Sequence, residues 1–395
     1  MESSRSASGW KRVDGIDILR GIAIFLVLMN HVNMRLFLAK VPYTAGLPEQ
    51  LASTLVWKGQ YAVQMFFAVS GFLITTTALR RWGSLSRVNV RDFYVLRFAR
   101  IAPLLLLLLA VLSALHFAHL KDFTVPDRTG GLGRALLAAL TFHINVLEAH
   151  RGYLPANWDI LWSLSVEEMF YLAFPLLCRV LGGGRLLTGV LLGFAVIGPF
   201  ARTVFAHGNE VWQEYSYLGG MDAIALGCLT AMLAFARQWP SGVPRVLGIL
   251  GTAILVFIFG FSIFANSIGL GRSGLNMSLL ALGTCMIAAA SSHSGWRSPR
   301  FLGPLLLLGQ RSYEIYLTHM FAVFALFDLF VFGGKSLGSV PFLFVATIFC
   351  AAVLGDLVAR FYSEPLNWLL RRQWRGRGEL DSVVTARAGA NPAGV

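Results

Sequence analysis

A chain of 395 residues would make two or three soluble domains, but 56% apolar and only 13% charged residues exclude that, and the apolar share equally excludes a disordered chain. A net charge of +13 invites a nucleic-acid reading, yet Lys and Arg fall in short clusters between apolar stretches, as in loops obeying the positive-inside rule. What remains is an all-α, polytopic integral membrane protein.

Stretches long enough to cross a bilayer, about 20 apolar residues each, run over 16–35, 60–79, 101–119, 160–179, 186–206, 216–236, 245–265, 273–291, 303–332 and 340–360. A shorter stretch, 135–147, is broken by His143 and Asn145 and reads as an outer-face or re-entrant helix. Ten crossings with the N-terminus inside place 20 of the 33 Lys and Arg on the inner side and 9 on the outer. Eleven would reverse every loop after residue 150, so the bias predicts ten spans with both termini cytoplasmic. The organisation expected is a cytoplasmic segment 1–15, a transmembrane domain 16–370 and a disordered cytoplasmic tail 371–395. The first residues lack a signal-peptide cleavage pattern. The outer segment 120–159 is long enough to cap a site, and no internal repeat is visible.

Ionisable groups inside a bilayer cost at least a few kcal/mol, so each needs a partner, a polar cavity or a function. In the first span Arg20 and His31 are eleven residues apart, which returns them to within roughly 20° of one face and about 16 Å apart along the axis. Snorkelling explains Arg20 near a span end; His31 is harder to dismiss. In WSLSVEEMFY (162–171), Ser163 and Glu167 are i, i+4 neighbours, placing a hydroxyl beside a carboxylate, and Glu168 points about 100° away. The inner loop before Pro103 carries Arg97 and Arg100, a charge cluster that topology alone explains but that also suits phosphate binding. Arg311 and Glu314 are spaced to pair, and Asp222, Asp328 and Asp356 are single acids awaiting partners. His116 and His119 mimic a metal spacing without a third ligand, so no metal is predicted. Cys178, Cys228, Cys285 and Cys350 lie too far apart for a motif and read as packing residues.

Taken together these pieces resemble the membrane acyltransferase-3 family over about residues 10–372. The resemblance rests on DILRGIAI (17–24) with the Arg20–His31 spacing, FFAVSGFLI (66–74), RFARIAP (97–103) and WSLSVEEMFY (162–171). It continues through MDAIALG (221–227), SYEIYLTH (312–319) and FYSEP (361–365). Thr318 stands where the family often has Trp, and Met169 where Gln is common, which leaves the acceptor pocket undefined. The resemblance implies an acyl-CoA-dependent O-acyltransferase, in its stand-alone form, in the inner (plasma) membrane. It would move an acyl group, acetyl above all, from cytoplasmic acyl-CoA to a hydroxyl of a glycan or glycolipid acceptor, among membrane lipids and without nucleic acid. Arg20 and His31 would be the essential pair, with Glu167 as the motif acid orienting His31 or the acceptor. Arg97 and Arg100 would hold the coenzyme, and Glu168 and His319 would contact the acceptor; Glu364 matches a C-terminal motif position. The alternative, a transporter or flippase for a lipid-linked glycan, fits the composition equally well.

Overall fold

A computed structural model describes residues 12–236 and 239–374. Among these the protein is all-helical, with ten helices long and apolar enough to cross a membrane. The ten spans are Asp14–Leu38, Gly59–Trp82, Val90–Phe117, Ala156–Leu181, Arg185–Arg202, Glu210–Ala236, Gly242–Gly260, Leu275–Ser294, Ser312–Phe332 and Leu337–Trp374. The protein is therefore a multi-pass membrane protein. An even number of crossings brings residue 374 back to the face from which residue 14 departs, called here the termini face. Most of the expected tail, 375–395, and residues 1–11 lie outside the described residues; residues 371–374 continue the last helix.

Several boundaries differ from those expected, three of them with consequences for the packing. The third span begins at Val90, because the Asn89 side chain accepts from the backbone N–H of Asp92 and caps the helix. Arg97 and Arg100 thus sit inside a helix and not in a loop. The ninth apolar stretch is broken at Arg311 into Gly303–Gln310 and Ser312–Phe332. The 135–147 stretch folds as two short helices, Gly131–Leu140 and Ile144–Arg151, neither long enough to span. They belong to the segment that covers the opposite face. Arg35, at the end of the first span, pins that segment through a 2.8 Å bridge to Asp122.

The first, second and fourth spans are the most buried of the ten, and the seventh the least. Close helix approach explains glycine at two points. A Cβ on Gly71 would overlap the carbonyl oxygen of Ile224, and one on Gly309 that of Asp17. Of the single acids, Asp222 and Asp356 find partners on other helices, whereas Asp328 is exposed on the ninth span. Asp222, wholly buried, takes a bidentate pair from Arg202 (2.9 and 2.8 Å) and a 2.7 Å bond from Gln64. Asp356 pairs with Arg311 and Arg360. Arg311 does not pair with Glu314 as its spacing suggested. The helix break turns it to Asp356 (2.9 Å) and Glu364, while Glu314 lies 3.9 Å from Arg100.

Candidate functional site

A cavity of about 420 Å³ runs between the first, second, third, fourth and ninth spans, a volume within the usual range for small-molecule sites. On the second span its lining extends from Arg80 to Val63, seventeen residues, or about 25 Å of helix at 1.5 Å per residue. Its termini-face end is marked by Arg12 and Arg80, both exposed. The next turns add Arg20, Arg97 and Arg100, so five arginines face three acids, Asp17, Glu167 and Glu168. Among the described residues no group of His, Cys, Asp and Glu could hold a metal ion.

The inner arginines are held in place by something other than a strong ion pair. Arg97 lies over the ring of Tyr171, 3.8 Å from its centroid, and Arg100 over Tyr313 at 5.4 Å. Arg20 approaches Asp17 only to 3.8 Å. Cation–π seating orients a guanidinium while leaving its N–H edge available for an anion. Deeper in the cavity Glu167 is bonded by the hydroxyls of Ser70 and Tyr171, which also contact each other. The expected Ser163–Glu167 contact is absent: Ser163 bonds the Ile160 carbonyl (3.1 Å) and the Tyr316 hydroxyl (2.7 Å) instead. Glu168 lines the cavity with a buried carboxyl oxygen, Oε1, that has no partner.

Neither His31 nor His319 lines this cavity. They form a pair of their own, His31 Nδ1 lying 3.2 Å from His319 Nε2 with ring centroids 4.9 Å apart. The carbonyls around them assign the tautomers. His319 Nδ1 faces the Tyr316 and Ile315 carbonyl oxygens at 2.7 and 3.2 Å, so it carries the proton and Nε2 is an acceptor. His31 Nδ1 then sits between two acceptors, His319 Nε2 and the Val27 carbonyl at 3.0 Å, so it too is the N–H. The lone pair of His31 is left on Nε2. His319 is wholly buried with both ring nitrogens engaged, whereas His31 keeps some exposed surface.

The structure therefore gathers Arg20, Arg97, Arg100, Glu167 and Glu168 around one cavity, and His31 with His319 just beyond it. Arg20 and His31 lie on one unbroken helix, so the same-face geometry holds, but only Arg20 lines the cavity. Sequence reasoning missed Ser70, Tyr171 and Tyr313. Tyr171 was within reach, since it lies i+4 from Glu167 on the same face; Ser70 and Tyr313 reach the site only through tertiary packing.

Residues 13–356 match the acyltransferase-3 family, described as an acyltransferase domain. The chain belongs to this family. Relatives of this acyltransferase-3 chain include a peptidoglycan O-acetyltransferase, OatA, of Listeria monocytogenes, 30% identical over 78% of this chain and 49% of that protein. The O-acetyltransferase OatA of Staphylococcus aureus is 22% identical over 89% of the chain and 57% of its own length. The acyltransferase-3 chain thus spans about half the length of the curated relatives it matches. No solved structure matches it.

Proposed function

We propose that the protein is a membrane O-acyltransferase that takes an acyl group, acetyl in the first instance, from acyl-CoA. The acceptor is a hydroxyl of a carbohydrate, and the relatives named for peptidoglycan O-acetylation make a cell-wall glycan the first to try. The carrying observation is the cavity itself: five arginines at its termini-face end, leading toward a histidine whose Nε2 lone pair is free. Pyrophosphate and phosphate groups fit guanidiniums seated on aromatic faces. With the termini in the cytoplasm of a plasma-membrane protein, as the charge bias argues, that end meets the cytoplasmic donor.

In this reading Arg12, Arg97 and Arg100 bind the donor's phosphates, and its thioester arm extends along the cavity past Glu168. His31 Nε2 takes the proton from the acceptor hydroxyl; the oxygen attacks the thioester carbonyl, a C–O bond forms and the C–S bond breaks. The proton then passes from His31 to the departing thiolate. His319 acts by holding His31 in its Nδ1–H tautomer, which replaces the acceptor-contacting role suggested by resemblance. Glu167, tied to Ser70 and Tyr171, stiffens the ring that seats Arg97. The family match favours this reading over a flippase.

The test uses the purified chain in nanodiscs with labelled acetyl-CoA and soluble cell-wall glycan fragments. Coenzyme A should raise thermal stability, and transfer should vanish in His31→Ala. Wild-type transfer by His31→Ala would refute the catalytic assignment, and a chain unaffected by coenzyme A the donor assignment.

A further inference from the structure

The arginine-lined cavity and the histidine pair are neighbours, and neither histidine is among the residues that line the cavity. On the ninth span the lining reaches Tyr316 and Leu317, while His319 lies two residues further along. Tyr316 both lines the cavity and touches His319. Its hydroxyl is held by Ser163 (2.7 Å) and by the Ile160 carbonyl (3.0 Å), both on the neighbouring fourth-span segment. One side of its ring meets Phe66, a cavity residue, at 6.1 Å, and it also meets His319 at 5.9 Å. His31 itself is half-buried and does not line this cavity.

We propose that Tyr316 is a gate between two compartments of the site: a donor cavity on the termini face and a histidine compartment reached from elsewhere. The latch is the pair of hydrogen bonds that tie the phenol to Ser163 and to Ile160. Closed, it keeps water and small solutes in the cavity away from His31. Release lets the end of an acyl-thioester arm pass the ring and reach His31 Nε2. Two neutral hydrogen bonds, each of modest net strength, make a latch that ordinary binding energy can open. The latch thus confines His31 to contact with a thioester only when a bound donor has displaced the ring. Without it, a thioester in the cavity could meet the base with no acceptor in place, and water there would hydrolyse it, forming a C–O bond to water oxygen as the C–S bond breaks and releasing free acid and thiol.

The gate rests on the function proposed above only for the identity of what passes through, so its test is made independent of donor. His31→Cys is introduced into a chain lacking the four native cysteines, reconstituted in vesicles of known orientation. An impermeant, positively charged methanethiosulfonate is added from the termini face. Ser70→Cys, a cavity-lining position, serves as the accessible control. With Tyr316 present, the thiol of the His31→Cys chain should react from that face at least tenfold more slowly than the thiol of the Ser70→Cys chain. Tyr316→Ala should bring the two within a few-fold of each other. Tyr316→Phe, which keeps the ring and drops both latch bonds, should fall between, and carries the test if the Ala variant does not fold. In the chain with His31 intact, Tyr316→Phe should raise acetyl-CoA hydrolysis relative to transfer. Equal labelling of the two single-cysteine chains with Tyr316 in place would overturn the gate. So would slow labelling of the His31→Cys chain that neither Tyr316 variant changes. A chain that labels as expected but shows no binding of coenzyme A would overturn the donor assignment alone.

Discussion

The histidine pair offers the sharpest quantitative test. His319→Ala removes one of the two acceptors that fix the His31 Nδ1–H, leaving the Val27 carbonyl at 3.0 Å. One net hydrogen bond is worth about 0.5–1.5 kcal/mol, so the productive tautomer and ring orientation should lose about 2- to 12-fold in population, read as kcat. His31→Ala removes the base itself and should cost on the order of 10²–10⁴. Because His319 is wholly buried, the Ala variant also leaves a void. His319→Gln is the control, since its amide oxygen can accept from His31 Nδ1 while filling most of the space. Initial rates of labelled acetyl transfer at saturating donor, normalised to folded protein by size-exclusion chromatography, separate these effects. A fall in His319→Ala as deep as that in His31→Ala would mean that His319 does chemistry. A His319→Gln variant no better than His319→Ala would mean that the acceptor at this position is not what matters.

Arg97→Lys keeps the charge but loses the planar fork over Tyr171, and should weaken coenzyme A binding about tenfold with kcat little changed, as titration calorimetry and donor-saturation kinetics will show. Equal affinity would leave Arg97 as a topology residue only. Asp222→Asn strips the partner from buried Arg202 and should destabilise the fold by about 3–5 kcal/mol, measured by SDS-titrated unfolding in mixed micelles. Arg202→Met together with Asp222→Leu should recover much of that loss, and a single-variant loss below about 1 kcal/mol would contradict the pairing. Burial pushes the Lys58 ammonium down to about 8, against an ordinary value of about 10.4. The unfolded chain therefore binds more protons between those values, and stability should rise as pH is raised from about 8 to 10. Lys58→Met should flatten that rise in thermal unfolding across the same window.

The helical crossings were readable because each bilayer-spanning segment must satisfy its own backbone and so announces itself in local composition. The face shared by Arg20 and His31 followed from helix period alone. Partnerships followed from nothing local. Arg311 and Glu314 have pairing spacing within one helix, yet the chain breaks at Arg311 and sends its guanidinium to Asp356 and Glu364 on the last span. Ser163 and Glu167 likewise share a face, but Glu167 is taken by Ser70 from another helix and by Tyr171, its other i+4 neighbour. The start of the third span was legible and overlooked: Asn89 followed by Asp92 is a capping pattern, and it turns a supposed loop of arginines into a helix aimed at the cavity.

That last change bears on what the arginines are for. In a flexible inner loop, Arg97 and Arg100 would need no explanation beyond charge bias. In the body of a helix they are stacked on Tyr171 and Tyr313 and face a cavity whose lining holds five arginines and three acids. Concentrating positive charge beside a low-dielectric interior is unfavourable unless anions occupy the space. The end of the cavity marked by Arg12 and Arg80 is exposed, whereas His31 and His319 lie outside its lining, with Tyr316 in contact with His319. On the function proposed here, a highly charged donor stays at the arginine end while its short arm carries the reacting group inward, and the gate proposed at Tyr316 lies on that path.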